Sequence, residues 1–406
     1  MSIKLKGSTD GSVTLQAPAD TSPTGTDKTF TLPTQDGDAG QILKTDGSGA
    51  LSFTDNLSSG RNLVINGAMQ VAQRGTSDSD LNSYATVDRF RLKRVLTDEL
   101  AGTQEQSSTA PAGFSNSYKV DITTAESALA ADEFFSMRHL IEAQNLQQLD
   151  YNTSDAKAVT LSFWIRSHVT GTYAVGLENP DGSRNIAKTY SVSSANTWEH
   201  KTITFPGDTG GANPNNDNGI GFQIDWYLAA GSNFTSSDGS SWGAQNNNRR
   251  AYGQSANAIG TTGGVYLTGV QLEVGEVATA FERRSYHDEL ARCRRYYFQS
   301  RQLGETYAGC YYGYGISANR IGAAVRLPIE MRANPTFVLI RPVDGVDDGA
   351  HRYLGVDGSS TTTDVSFSSV GFADRGRLGF PYLITGSNEV VAGVGYLFHI
   401  EAHAEL

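Results

Sequence analysis

Val159-Thr160-Leu161-Ser162-Phe163-Trp164-Ile165-Arg166 alternates apolar and polar residues. Successive side chains of a strand leave opposite faces of a sheet, so Val159, Leu161, Phe163 and Ile165 line one face, and Thr160, Ser162, Trp164 and Arg166 the other. The period recurs downstream. Tyr173, Val175 and Leu177 repeat it, and Ile203 and Phe205 continue it after a turn. Phe222, Ile224, Trp226 and Leu228 then alternate with Gly221, Gln223, Asp225 and Tyr227, and Val265-Tyr266-Leu267 supplies a last strand. Short strands parted by Gly, Asn and Asp turns predict an all-β fold, a β-sandwich of jelly-roll type.

Outward from this centre the pattern changes twice. Residues 1–58 are mostly Gly, Ser, Thr and Asp with short apolar pieces, including Ser12-Val13-Thr14-Leu15-Gln16-Ala17-Pro18, Phe30-Thr31-Leu32-Pro33 and Gln41-Ile42-Leu43-Lys44. Such a segment cannot offset its own conformational entropy by burial. It reads either as a disordered tail or as short strands ordered only against other copies or a docking partner. Past the sandwich at 59–284, a connector helix is expected in 285–302. Ser285 and Asp288 have capping-box spacing, and Leu290, Cys293 and Tyr297 share a face. Strand patterns return in 303–406, at Ala323–Ile329, Pro335–Ile340, Val365-Ser366-Phe367 and Tyr396–Ile400, predicting a smaller C-terminal β-sandwich.

Composition narrows the function classes. The 406 residues carry a formal net charge of −11, with no Lys/Arg block to neutralise phosphates, so nucleic acid is not an expected partner. No segment reaches the roughly 20 apolar residues of a membrane helix, and the opening Met1-Ser2-Ile3-Lys4-Leu5-Lys6 lacks a signal-peptide core. The two cysteines, Cys293 and Cys310, are expected to be free thiols.

Four stretches resemble a known family. Arg61-Asn62-Leu63-Val64-Ile65-Asn66-Gly67-Ala68-Met69-Gln70-Val71-Ala72-Gln73-Arg74-Gly75-Thr76 with Val87-Asp88-Arg89-Phe90 is similar to the opening of the carbohydrate-binding-module-like sandwich of bacteriophage tail-fibre and virion appendage proteins. Asn196-Thr197-Trp198-Glu199 resembles that module's tryptophan-bearing strand. Gly269–Gly275 with Ala278–Arg284 resembles its closing strand, and the helix with Cys293-Arg294-Arg295-Tyr296-Tyr297 completes the set. Gly11–Pro18, Thr31-Leu32-Pro33 and Gly40–Lys44 look like the low-complexity start by which such proteins join the particle. The resemblance implies a virion protein assembled in the host cytoplasm, a homotrimer docked on other virion proteins through residues 1–58, and attachment to host-surface glycan. A purely structural collar or capsid-surface component and a glycan-degrading tail enzyme are the alternatives.

Sugar-binding sandwiches present exposed aromatic rings flanked by amide or guanidinium groups. The candidate glycan-binding residues are Trp242, Asn246, Arg249 and Tyr252, in a segment without alternation; a self-packed or subunit-contact loop is the competing reading. Trp226 shares the apolar parity of its strand and is expected in the core, Trp198 should be framework, and Trp164 is an interface candidate. No phosphate loop or nucleophile elbow appears, so no catalytic residue and no cofactor are expected. A calcium at Glu273 has no supporting carboxylate cluster, and His399, Glu401, His403 and Glu405 are expected on one solvated strand face rather than around a metal.

Overall fold

The computed structural model describes residues 2–6, 12–16, 29–34, 41–55, 60–96, 100–126, 128–301, 310–340, 352–356, 362–366, 370–385 and 390–406. Gly11, Ala17, Pro18, Gly40 and Phe367, and the expected boundaries at 58/59 and 302/303, lie outside them. The chain divides into two compact units, Met1–Gly60 and Arg61–Leu406.

In the first unit, β1 (Ser2–Lys6) pairs with β2 (Ser12–Gln16), and β3 (Gln41–Thr45) with β4 (Leu51–Asp55). Thr31 bridges Ala50 beside the second hairpin. Phe30, Leu32, Leu43 and Phe53 stay exposed. Two-stranded hairpins are marginal alone, and among the described residues of this unit none is buried.

The second unit opens with twelve strands: β5 (Ser77–Asp78), β6 (Phe90–Val95), β7 (Ala101–Ser107), β8 (Ser117–Thr124), β9 (Phe134–Glu142), β10 (Val159–Ser167), β11 (Gly171–Asn179), β12 (Arg184–Val192), β13 (Glu199–Phe205), β14 (Ile220–Ala230), β15 (Gly243–Ala244) and β16 (Gly263–Val274). They form two antiparallel six-stranded sheets, in the orders β13-β10-β16-β8-β7-β5 and β15-β12-β11-β14-β9-β6. The predicted parity holds. Val159, Leu161, Phe163 and Ile165 of the first sheet meet Tyr173, Val175, Leu177, Phe222, Ile224, Trp226 and Leu228 of the second in one core. Trp226 is fully buried there.

The helix spans Tyr286–Arg294 and is capped as expected, Ser285 Oγ accepting from the Asp288 amide at 3.1 Å. Its buried residues are Glu289 and Cys293; of the expected set Leu290, Cys293 and Tyr297, only Leu290 is not buried, and Tyr297, like Tyr296, is buried beyond the helix's end. Glu289 is drawn inward because its Oε1 accepts the Asn66 amide at 2.6 Å. Tyr297 leaves the helix altogether and opens a strand.

The remaining strands are β17 (Tyr297–Gln299), β18 (Tyr311–Ser317), β19 (Arg320–Arg326), β20 (Thr336–Ile340), β21 (Arg352–Val356), β22 (Thr362–Ser366), β23 (Val370–Ala373), β24 (Gly379–Thr385) and β25 (Gly395–His403). β25 is the spine: its first half pairs with β18 and β21, its second half with β17 and β20. Ile321, Val325, Phe337, Leu383, Phe398 and Ile400 belong to a second core. The fold is therefore all-β, a jelly-roll-like sandwich followed by a smaller β-module.

The spine overturns one expectation. His399 is fully buried instead of solvated, because Ser300 and Cys310, just past the end of β17 and just before the start of β18, stand against its ring, with Ser300 Oγ at 3.1 Å and Cys310 Sγ at 3.4 Å. His403 Nε2 pairs with Glu401 at 2.9 Å, and Glu405 is drawn to Arg74 and Arg89. Cys293 and Cys310 are both free thiols.

Candidate functional site

The segment holding Trp242, Asn246, Arg249 and Tyr252 lies over the outer face of the second sheet. Phe234 and Ala251 pack on Phe134, Ala174 and Tyr227. Arg250 Nε reaches Glu178 Oε1 at 2.9 Å, and Gln245 Nε2 donates to Glu178 Oε2 at 2.7 Å. Gly176 makes the approach possible, since a Cβ there would stand 2.6 Å from the Arg250 carbonyl oxygen. Trp242 is half-buried against the core, donating Nε1 to Pro206 O at 2.7 Å and meeting Tyr151 edge-on at 5.8 Å. Arg249 Nη2 donates to Ser241 O at 2.6 Å. Asn246 is exposed, its Oδ1 capping the Asn248 amide at 3.2 Å, and Tyr252 is 36% exposed. The four thus share one segment, but Trp242 and Arg249 hold it together while Asn246 and Tyr252 face outward.

Beneath this cover lies a compensated polar network. Asp225 accepts from Arg138 Nε and Nη2 at 2.8 and 3.1 Å, from Ser136 Oγ at 2.8 Å and from Gln223 Nε2 at 2.8 Å. Burial pushes the Glu178 carboxyl up, and Arg250 opposes the rise. Each carboxylate is bound by a guanidinium plus amide or hydroxyl donors, an arrangement that holds charge in place rather than passing protons.

The outer face of the first sheet is different. Register sets Lys119 opposite Tyr266, Tyr266 opposite Arg166, and Trp164 opposite His200. The Trp164 and His200 rings lie 5.1 Å apart, and Trp198 meets Tyr266 edge-on at 6.0 Å. The Arg166 guanidinium stands 5.0 Å over the Tyr266 ring and the Lys119 ammonium 5.8 Å from it. All six are half-buried or exposed. Partial burial holds the His200 ring below its ordinary pKa. Aromatic surface with interleaved cationic donors can take flat, hydroxylated ligands by stacking and hydrogen bonding. This ladder was legible only in part. Parity sets Trp164 outward and the resemblance makes Trp198 framework, while Tyr266 alternates with Val265 and Leu267 without any further signal in the sequence.

Glu273 is filled by protein donors: the Thr279 amide at 2.8 Å, Thr279 Oγ1 at 2.6 Å, Gln271 Nε2 at 2.8 Å and Arg61 Nε at 3.3 Å. Among the described residues, no three His, Cys, Asp or Glu side chains converge on a point.

No protein-family model matches the chain, and no curated protein matches it in sequence. Solved structures are similar to parts of it. The enzymatically active domain of bacteriophage CBA120 tailspike protein 4 is 12% identical, covering 53% of this chain and 21% of that one, with a TM-score of 0.30. A CBM4 structure is 13% identical over 52% of this chain and 99% of its own, with a TM-score of 0.27. A family 11 carbohydrate-binding module from Clostridium thermocellum, in complex with a β-1,3-1,4-mixed-linked tetrasaccharide, is 10% identical over 50% and 98%, with a TM-score of 0.26. At such scores, the ligand and activity of this chain rest on its own residues.

Proposed function

We propose that this chain is a structural attachment protein of a bacteriophage particle, a tail fibre or similar appendage without enzymatic activity, which docks through residues 1–58 and touches host-surface glycan with its sandwich. The observation that carries the glycan contact is the open ladder of Trp164, Trp198, Tyr266, Arg166 and His200 on the first sheet. The sequence resemblance supports the virion setting. Exposed Phe30, Leu32, Leu43 and Phe53 support a docking role for the first unit. A homotrimer would convert weak single contacts into firm adhesion by multivalency.

The test is binding to host cells by the wild type and by Trp164→Ala/Trp198→Ala, with melting temperature as the control for folding. At least a tenfold loss in a folded variant is expected, and unchanged binding sinks the glycan face. Incubation with capsule or lipopolysaccharide should release no oligosaccharide. One observation favours a spacer without receptor: the second sheet's outer face is closed by the chain's own segment. For that spacer, neither the ladder variant nor Asn246→Ala/Tyr252→Ala alters cell binding.

A further inference from the structure

The C-terminal module has an open face that the attachment reading does not use. Tyr312, Tyr314 and Ile316 alternate along β18 with Gly313 and Gly315, and are 60%, 48% and 49% exposed. Tyr312 is registered opposite Leu397 and Tyr314 opposite Gly395. A Cβ added at Gly395 would stand 2.6 to 3.0 Å from Tyr312 Oη, Cε2 and Cζ. The Tyr312 ring therefore lies over the glycine along the sheet and turns its other side to solvent. On the next strand, Gly322 is registered opposite Tyr314, so at that position β19 sends up no side chain beside the ring.

Ala324, two residues further along that face of β19, is a wall of an open cleft of about 680 Å³. Arg326, Glu330, Asn334, Asp374 and Arg377 line it, with Leu378 as an apolar wall 60% exposed. Arg377 Nη1 pairs with Glu330 Oε1 at 3.1 Å, and its Nε donates to Met331 O at 2.8 Å, which fixes the guanidinium in place. The cleft carries both signs of charge, so it offers donors and acceptors without a strong net field. Its volume lies within the range of small-ligand sites, ~300–1,000 Å³.

We infer that the outward face of β18 and β19, with the adjoining cleft, is a second binding site for an uncharged oligosaccharide, one ring stacking on Tyr312 and the chain running into the cleft. Flat, solvent-facing tyrosine suits the apolar face of a pyranose, and paired charges beside an exposed amide suit its hydroxyls. The site goes beyond the attachment reading, which places contact on the sandwich, and the two can fail separately.

The experiment is full-length protein on a panel of neutral and acidic bacterial surface polysaccharides, followed by titration calorimetry on those bound. Variants are Tyr312→Ala/Tyr314→Ala, Tyr312→Phe/Tyr314→Phe, Arg377→Met, and Trp164→Ala/Trp198→Ala. The inference expects at least one neutral polysaccharide whose affinity falls roughly tenfold or more in the double alanine variant and in Arg377→Met, but is kept by the double phenylalanine variant. That affinity should be unchanged in Trp164→Ala/Trp198→Ala. Binding of no neutral polysaccharide, or binding indifferent to the tyrosines, overturns it. So does a change of oligomeric state in the double alanine variant by light scattering, which would make this face a contact between copies.

Discussion

Arg89 of the sandwich, fully buried, pairs through Nη1 with Glu405, beyond the spine strand of the C-terminal module. Its Nη2 donates to Leu140 O at 2.6 Å, and the guanidinium stands 3.5 Å over the Tyr296 ring. Arg74 reaches the other Glu405 oxygen at 3.0 Å and lies 3.6 Å over Tyr297. One carboxylate thus neutralises two arginines that anchor both modules. Removing one partner of a buried pair leaves an unpaired charge, so Glu405→Gln should lower stability by about 3 kcal/mol in chemical denaturation. Adding Arg89→Met to Glu405→Gln should cost less than the two single losses together. Simple additivity would show that the pair is not coupled.

His139 gives a pH dependence of defined sign. It faces the core 4.8 Å from Phe90, and burial first, then the Arg89 charge, hold its pKa well below 6.5. The folded state keeps the ring neutral while the unfolded chain takes up a proton below pH 6.5. Stability is whole above that value and falls on acidification by about 1.4 kcal/mol per pH unit from this group. His139→Phe should remove that slope, as read from denaturation midpoints between pH 7 and pH 5. An unaltered slope would contradict the assignment.

Asp88 acts in the opposite sense. Burial raises it from 3.8 to about 6, against Arg74 and the two Gln73 donors. Between those values the folded state binds the proton more tightly than the unfolded chain, so acidification stabilises, by about 3 kcal/mol across the window. The two groups therefore oppose each other below pH 6. Asp88→Asn should steepen the acid loss of stability and raise stability at pH 7. A variant less stable than wild type at pH 7 would show that the carboxylate's hydrogen bonds outweigh its burial.

Parity made the sandwich legible: Val159 to Arg166 and Phe222 to Leu228 name their own core faces because strand period does not depend on partners. The candidate loop was less legible for a matching reason. Trp242 and Arg249 follow no period, and whether such residues face solvent depends on Pro206, Tyr151 and Ser241, contacts that sequence does not order. His399 follows an exposed-looking alternation with Glu401 and His403, but Ser300 and Cys310, distant in sequence, stand against its ring and decide its burial. Tyr312 and Tyr314 did alternate visibly with glycine; their openness follows from Gly395 and Gly322 on the neighbouring strands.

Gly67, in the opening motif, sits where a side chain has no room. A Cβ there would strike the Val270 carbonyl oxygen and come 3.3 Å from Asn62 Nδ2, the group that donates to that same oxygen at 3.0 Å. The Val270 amide donates back to Gly67 O at 2.9 Å, so the two backbones are clamped together. Asn62 Oδ1 in turn accepts the Val64 and Leu272 amides at 3.0 and 3.1 Å, tying the motif to the first sheet. Gly67→Ala must therefore separate the clamp or break the Asn62 bond, an overpacking loss of about 2–3 kcal/mol. Gly371→Ala is the control, since among the described residues its Cβ would meet nothing nearer than 3.9 Å. Chemical denaturation should place the Gly67 variant well below wild type and the Gly371 variant close to it. Equal midpoints for the two would mean that the motif's close backbone approach adds nothing to stability.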